Sequence, residues 1–127
     1  MASRIMIVDD EQGMRDSYLE VLEAPTRKLS FYSTGEEAVD AYNRPKEEWP
    51  HIIFTDFGMP GAVDGLRLAK TARNHDKRVK VCMVSATQFS EETLREIKQY
   101  ADVLKKPVGV DDILGIAEKY ERELELV

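Results

Sequence analysis

Apolar residues along this chain follow two alternating rhythms. Short runs rich in β-branched and aromatic residues read as strands: Arg4-Ile5-Met6-Ile7-Val8, Leu29-Ser30-Phe31-Tyr32-Ser33, His51-Ile52-Ile53-Phe54-Thr55, Val79 to Val84, and Ala101 to Leu104. Between them the spacing turns helical. From Glu11 to Glu23, the residues Met14, Tyr18, Leu19, Val21 and Leu22 recur at helical spacing, and Pro25 stands just beyond the end. Thr34 is placed to cap a helix from Glu36 to Asn43, with Pro45 after it. Asp64 to Asn74 offers Leu66, Leu68 and Ala69 for packing, whereas Glu91 to Tyr100 has only Leu94 and Ile97. The last helix has the clearest stripe: Val110, Ile113, Leu114, Ala117, Tyr120 and Leu124.

Strict alternation of strand and helix predicts a parallel sheet with helices on both faces, because each crossover must carry the chain back to the starting edge. The first, third and fourth strands are nearly continuous apolar runs, as burial on both faces requires. The second is more polar and is expected near an edge. The chain shows no internal repeat, low-complexity segment or linker, so residues 1–127 read as a single domain with no output domain attached.

Composition narrows the function classes. With 43% hydrophobic and 33% charged residues, the sequence suits a globular protein with one core. The formal charge of -6 weighs against direct nucleic-acid binding. No basic amphipathic helix suggests a membrane surface, and no apolar run approaches the ~20 residues of a span or a signal-peptide core. Cys82, the single cysteine, lies in an apolar run and reads as a small buried hydrophobe in a reducing compartment. Cytoplasmic residence is the expectation. His51 and His75 lack a partner at metal-ligand spacing, and Trp49 reads as a packing residue.

In an open parallel sheet, sites form beyond the carboxyl ends of the strands. The first strand delivers Asp9 and Asp10 there, and the third delivers Asp56, followed by Phe57-Gly58-Met59-Pro60. The fourth delivers Ser85-Ala86-Thr87 and the fifth Lys105-Lys106-Pro107. Carboxylates gathered so closely raise one another's pKa unless a cation neutralises them, and Mg²⁺, a hard ion with oxygen ligands, suits that need; Mn²⁺ could substitute. Three carboxylates, one divalent ion and one lysine sum to zero formal charge. A carboxylate there can attack phosphorus and form an acyl phosphate, with the cations and the Ser85 hydroxyl stabilising the phosphoryl oxygens.

At this point the sequence resembles a known family. Ile7-Val8-Asp9-Asp10-Glu11, Asp56-Phe57-Gly58-Met59-Pro60, Ser85-Ala86 and Lys106-Pro107 look like the four signatures of response-regulator receiver domains, in order across about a hundred residues. The resemblance implies the flavodoxin-like (βα)5 fold, a doubly wound five-stranded sheet of order 2-1-3-4-5. It implies that Asp56 is the phosphoacceptor, Asp10 a direct Mg²⁺ ligand, and Asp9 a ligand acting largely through water. The Gly58 backbone carbonyl would complete the protein ligands. Ser85 matches the switch hydroxyl, Ala86 the small residue beside the phosphoryl group, and Lys106 the family lysine, whose bond to Pro107 is expected to be cis. Lys105 is its outward-facing neighbour. The implied partners are a histidine kinase or histidine phosphotransfer protein as donor and a downstream protein target. The chain would catalyse only its own phosphorylation and dephosphorylation.

Three departures from the family pattern stand out. Val103 occupies the position where an aromatic switch residue is common. Three residues, Gly61-Ala62-Val63, separate Pro60 from Asp64-Gly65 where the family commonly has two. Gly58 and Thr87, at positions that influence hydrolysis, supply neither a carboxylate nor an amide to orient water, which predicts slow self-dephosphorylation. The competing reading is a phosphate-independent interaction module on the same fold. A phosphatase of the haloacid-dehalogenase type would need a second Asp two residues after its nucleophile, where this chain has Gly58. A flavin-binding flavodoxin would not place acidic residues against a cofactor phosphate.

Overall fold

The computed structural model describes residues 2–126; Met1 and Val127, the ends of the span read as one domain, lie outside the described residues. Five strands alternate with five helices: β1 (Ser3–Val8), α1 (Gln12–Leu22), β2 (Arg27–Tyr32), α2 (Gly35–Asp40), β3 (Ile52–Thr55), α3 (Gly65–His75), β4 (Lys80–Ser85), α4 (Glu91–Lys98), β5 (Asp102–Lys105) and α5 (Val110–Glu123). All neighbouring strands are parallel, and the order is β2-β1-β3-β4-β5, as the resemblance implies. The more polar β2 is at an edge. Register sets Val8 beside Tyr32 and Thr55, Thr55 beside Met83, and Ser85 beside Lys105, so β1 and β3 end level and β4 runs two residues further.

The period-two alternation of the strands splits the core in two. On one face, Ile5, Ile7, Phe54, Cys82 and Val84 pack under Tyr18 and Leu22 of α1 and Ile113, Ala117 and Tyr120 of α5. On the other, Met6, Val8, Ile53, Val81 and Met83 meet Ala38 of α2, Leu68, Ala69 and Ala72 of α3, and Ile97 of α4. Each large aliphatic side chain buried this way contributes roughly 1.5–3 kcal/mol. Cys82 is fully buried among them, and burial pushes its thiol up to about 12. Thr34, Asp64 and Ser90 each accept a backbone N–H from the first turn of α2, α3 and α4, the capping that the sequence foresees at Thr34.

Four expectations need correction. The helix predicted from Glu36 to Asn43 is α-helical only to Asp40 and tightens into a 3₁₀ turn over Ala41–Asn43. Pro45 holds Arg44 extended, so the helix closes early. The fourth helix stops at Lys98 instead of continuing to Tyr100. Leu19, counted in the apolar pattern of the first helix, is 41% exposed, and Val110, assigned to the apolar stripe of the last, is 57% exposed. Val110 opens α5 one turn before Ile113 first reaches the core. The buried stripe instead includes Glu121, whose charge had masked it. Among the described residues, no helix is long and apolar enough to cross a membrane.

Candidate functional site

Sheet hydrogen bonds carry past the strand ends and fix the backbone of the acidic rim. The Asp9 N–H donates to the Tyr32 carbonyl at 3.1 Å and the Asp56 N–H to the Val8 carbonyl at 3.0 Å. The Lys106 N–H donates to the Ser85 carbonyl at 2.9 Å, tying the chain after β5 to the end of β4. These bonds put the side chains of Asp9, Asp56 and Lys106 over one hollow. The Lys106 ammonium stands 3.4 Å from both Asp9 Oδ2 and Asp56 Oδ2, and 3.9 Å from Glu11 Oε1. The other oxygens of the two aspartates are held by amides: Asp9 Oδ1 accepts from the Glu11 N–H at 2.9 Å, and Asp56 Oδ1 from the Phe57 N–H at 2.8 Å.

Asp10 completes the cluster. One oxygen from each of Asp9, Asp10 and Asp56 lies within 4.8 Å of the others, with Asp9 buried, Asp56 half-buried and Asp10 exposed. Octahedral Mg²⁺ with bonds of about 2.1 Å sets opposite ligands roughly 4.2 Å apart, so this oxygen set fits such an ion after small side-chain rotations. Electrostatics favour a cation as well. Burial raises the Asp56 carboxyl above its ordinary value, and Asp9 adds to the rise, against the opposing pull of Lys106 and the Phe57 amide. Burial works to lower the Lys106 ammonium, but Asp9 and Asp56 outweigh it and hold it above its ordinary value. One lysine does not neutralise three carboxylates.

The remaining sequence-predicted residues border this hollow or its approaches. Ser85 is buried at the end of β4, where its Oγ accepts the Thr87 N–H at 3.1 Å and keeps its own O–H free to donate. Ala86, Thr87 and Gly58 are exposed. The Lys106–Pro107 bond is cis, as expected. Lys105 points away and donates to Gln88 Oε1 at 2.8 Å. Val103 is half-buried and packs against the α2–α3–α4 side of the core, a cluster that also takes in Phe57, Phe89 and Tyr100.

Three contributors escaped sequence reading. Arg15, closing the first turn of α1, donates to the Asp9 carbonyl at 2.6 Å. The rings of Phe57 and Phe89 meet edge to face at 4.9 Å, joining the residue after Asp56 to the loop before α4. Glu36 accepts the Ala62 N–H at 3.3 Å, outside the hollow but on the loop that leaves it. An apolar residue directly after Asp56 could have signalled Phe57. The other two are charges whose partners only the fold supplies.

The family description "Response regulator receiver domain" fits residues 5–118. The chain belongs to this family. Among curated relatives, this receiver domain is 29% identical to the response regulator receiver protein CpdR of Brucella abortus over 91% of the chain and 94% of the relative. It is 27% identical to sporulation initiation phosphotransferase F of Bacillus subtilis, covering 94% of each. It spans only 33% of the uncharacterized transcriptional regulatory protein YesN of Bacillus subtilis and 50% of the phosphate regulon regulator PhoB of Escherichia coli. The crystal structure of a CheY-like receiver domain protein from Methanospirillum hungatei superposes with a TM-score of 0.82 at 25% identity, covering 98% of both chains.

Proposed function

We propose that this receiver domain is a phosphorylation-dependent signalling switch that takes a phosphoryl group onto Asp56. The supporting observation is the Lys106 ammonium, 3.4 Å from both Asp9 and Asp56, in a cluster of three carboxylates that it cannot neutralise alone. Asp56 Oδ2, the oxygen not held by the Phe57 amide, is the natural nucleophile. It attacks phosphorus; a P–O bond to Asp56 forms as the bond to the donor breaks, and the donor leaves with the electron pair. The donor is a histidine kinase or histidine phosphotransfer protein carrying phosphohistidine, and acetyl phosphate is its small-molecule surrogate.

Asp9, Asp10, Asp56 and the Gly58 carbonyl would hold Mg²⁺, or Mn²⁺ in its place. The bound ion would supply positive charge to the phosphoryl oxygens. Lys106 then pairs with a phosphoryl oxygen as Asp56 gives up its negative charge on forming the acyl phosphate, and Ser85 donates its free O–H to another. Removing one such donor typically costs about 10²–10³ in rate. Ala86 leaves room for the group. Gly58 and Thr87 offer incoming water no base, so the phosphoryl group turns over slowly. The chain is therefore a switch, not an enzyme acting on other substrates. It works in the cytoplasm and passes the signal to a protein target, with no direct contact with nucleic acid or membrane.

Intact mass after incubation with acetyl phosphate tests this reading. The expected result is a gain of one phosphoryl group that requires Mg²⁺ and is absent in Asp56→Asn. No gain in the wild-type chain, together with failure to bind beryllofluoride, would instead favour the phosphate-independent module.

A further inference from the structure

The loop from Phe57 to Asp64 leaves the acidic hollow, carries Gly58, and has one residue more than the family commonly places there. Its two ends are fixed locally. The Gly65 N–H closes the loop onto the Phe57 carbonyl at 2.8 Å, and Asp64 caps α3 through the Arg67 N–H at 2.8 Å. Its middle has no partner within the loop. Instead it leans on the first turn of α2, where Glu36 Oε2 accepts the Ala62 N–H at 3.3 Å.

The glycines show how close that approach is. Gly61 has φ of 98°, a conformation that strains any other residue, and a β-carbon there would run into the Glu36 carboxylate. A β-carbon on Gly35 would strike the Val63 carbonyl and side chain. Gly61, Ala62 and Val63 of the loop therefore meet Gly35 and Glu36 of α2. Only Glu36 adds a directional bond to this contact.

We propose that Glu36 is a positioning residue for the metal-facing loop. By taking up the slack of the extra residue, it presets the Gly58 carbonyl for the ion, so less ordering is left to metal binding. This inference rests on the reading of the rim as a Mg²⁺ site. Charge and acceptor are separable here, because Glu36→Gln keeps an oxygen to accept the Ala62 N–H, whereas Glu36→Ala does not. Glu37 is a control on the same helical turn: its carboxylate accepts from the Ser33 and Thr34 hydroxyls and does not meet the loop.

The experiment measures Mg²⁺ affinity by calorimetry and backbone amide hydrogen exchange by NMR on the full chain, for wild type, Glu36→Gln, Glu36→Ala and Glu37→Ala. Glu36→Ala should bind Mg²⁺ about fivefold more weakly, the equivalent of one ordinary hydrogen bond, and its Ala62 amide should exchange faster. Glu36→Gln and Glu37→Ala should stay within about twofold of wild type. Unchanged affinity in Glu36→Ala overturns the proposal, as does an equal loss in Glu36→Gln or Glu37→Ala. If the wild-type chain binds no Mg²⁺, the metal reading falls. The exchange data then decide Glu36's hold on the loop: faster Ala62 exchange in Glu36→Ala but not in Glu36→Gln upholds it, and equal exchange overturns it.

Discussion

Two clusters of carboxylates and cations sit at opposite ends of the same sheet, and they are built to opposite effect. At the amino-terminal end, Glu121 of α5 receives Arg27 of β2 in a two-pronged pair, Nη2 to Oε1 at 2.9 Å and Nε to Oε2 at 3.0 Å. Ser3 Oγ donates to the same carboxylate at 2.5 Å. At the carboxyl-terminal end, Lys106 spans two carboxylates at 3.4 Å each, with a third alongside. Burial pushes both Glu121 and Asp56 upward, but only Glu121 has enough partners to finish below its ordinary value, while Asp56 finishes above. The number and geometry of the partners, not burial, decide which cluster locks the fold and which is left short of positive charge.

Breaking the satisfied cluster should have the largest effect. Glu121→Ala leaves the half-buried Arg27 guanidinium without its carboxylate and is expected to cost about 3 kcal/mol, read as a fall in the urea midpoint. Acidification should sharpen the contrast. Glu121 has a lowered pKa in the folded state, so its contribution is complete above the ordinary carboxylate range and is lost as pH falls through the lowered value. Asp56 has a raised one, so its ionisation opposes folding at neutral pH, and that penalty is relieved as pH falls through the raised value. Urea unfolding in metal-free buffer from neutral pH to about pH 3 should show both trends. The deficit of Glu121→Gln against wild type shrinks at the acid end, whereas the advantage of Asp56→Asn disappears earlier in the descent.

At neutral pH without metal, Asp56→Asn should raise stability by roughly 0.5 kcal/mol, a shift of about 2 °C in melting temperature. The smallest effect belongs to Lys105→Ala. Its exposed bond to Gln88 should be worth under about 0.5 kcal/mol, with phosphoryl gain from acetyl phosphate unchanged. A large loss of phosphoryl gain there would mean that the two lysines had been assigned the wrong way round.

The acidic rim was legible in the sequence because each of its residues ends a strand whose pattern is unambiguous. Ile5 to Val8, Ile52 to Thr55 and Val81 to Val84 are short and rich in β-branched residues, the pattern of strands buried on both faces, which brings Asp9, Asp56 and Ser85 out at one edge. The opposite cluster was hidden for the converse reason. Glu121 lies among charged neighbours in a helix, and its partner Arg27 is 94 residues away, a pairing that no local pattern encodes. Val110 misled in the other direction, since its spacing matches the stripe but the helix has not yet reached the sheet. Arg15 and Glu36 likewise act on backbone groups that only the folded chain brings within reach.

The most direct test of the contrast is the gain in unfolding free energy when saturating Mg²⁺ is added, compared among wild type, Asp10→Asn and Glu121→Gln. An ion that binds the folded state at a hundred times its dissociation constant adds about 2.7 kcal/mol. Wild type and Glu121→Gln should gain the same increment, despite their different starting stabilities, and Asp10→Asn should gain far less. Equal gains in wild type and Asp10→Asn, or no gain in wild type, would contradict the claim that the carboxyl-terminal rim is the cluster left open for a cation.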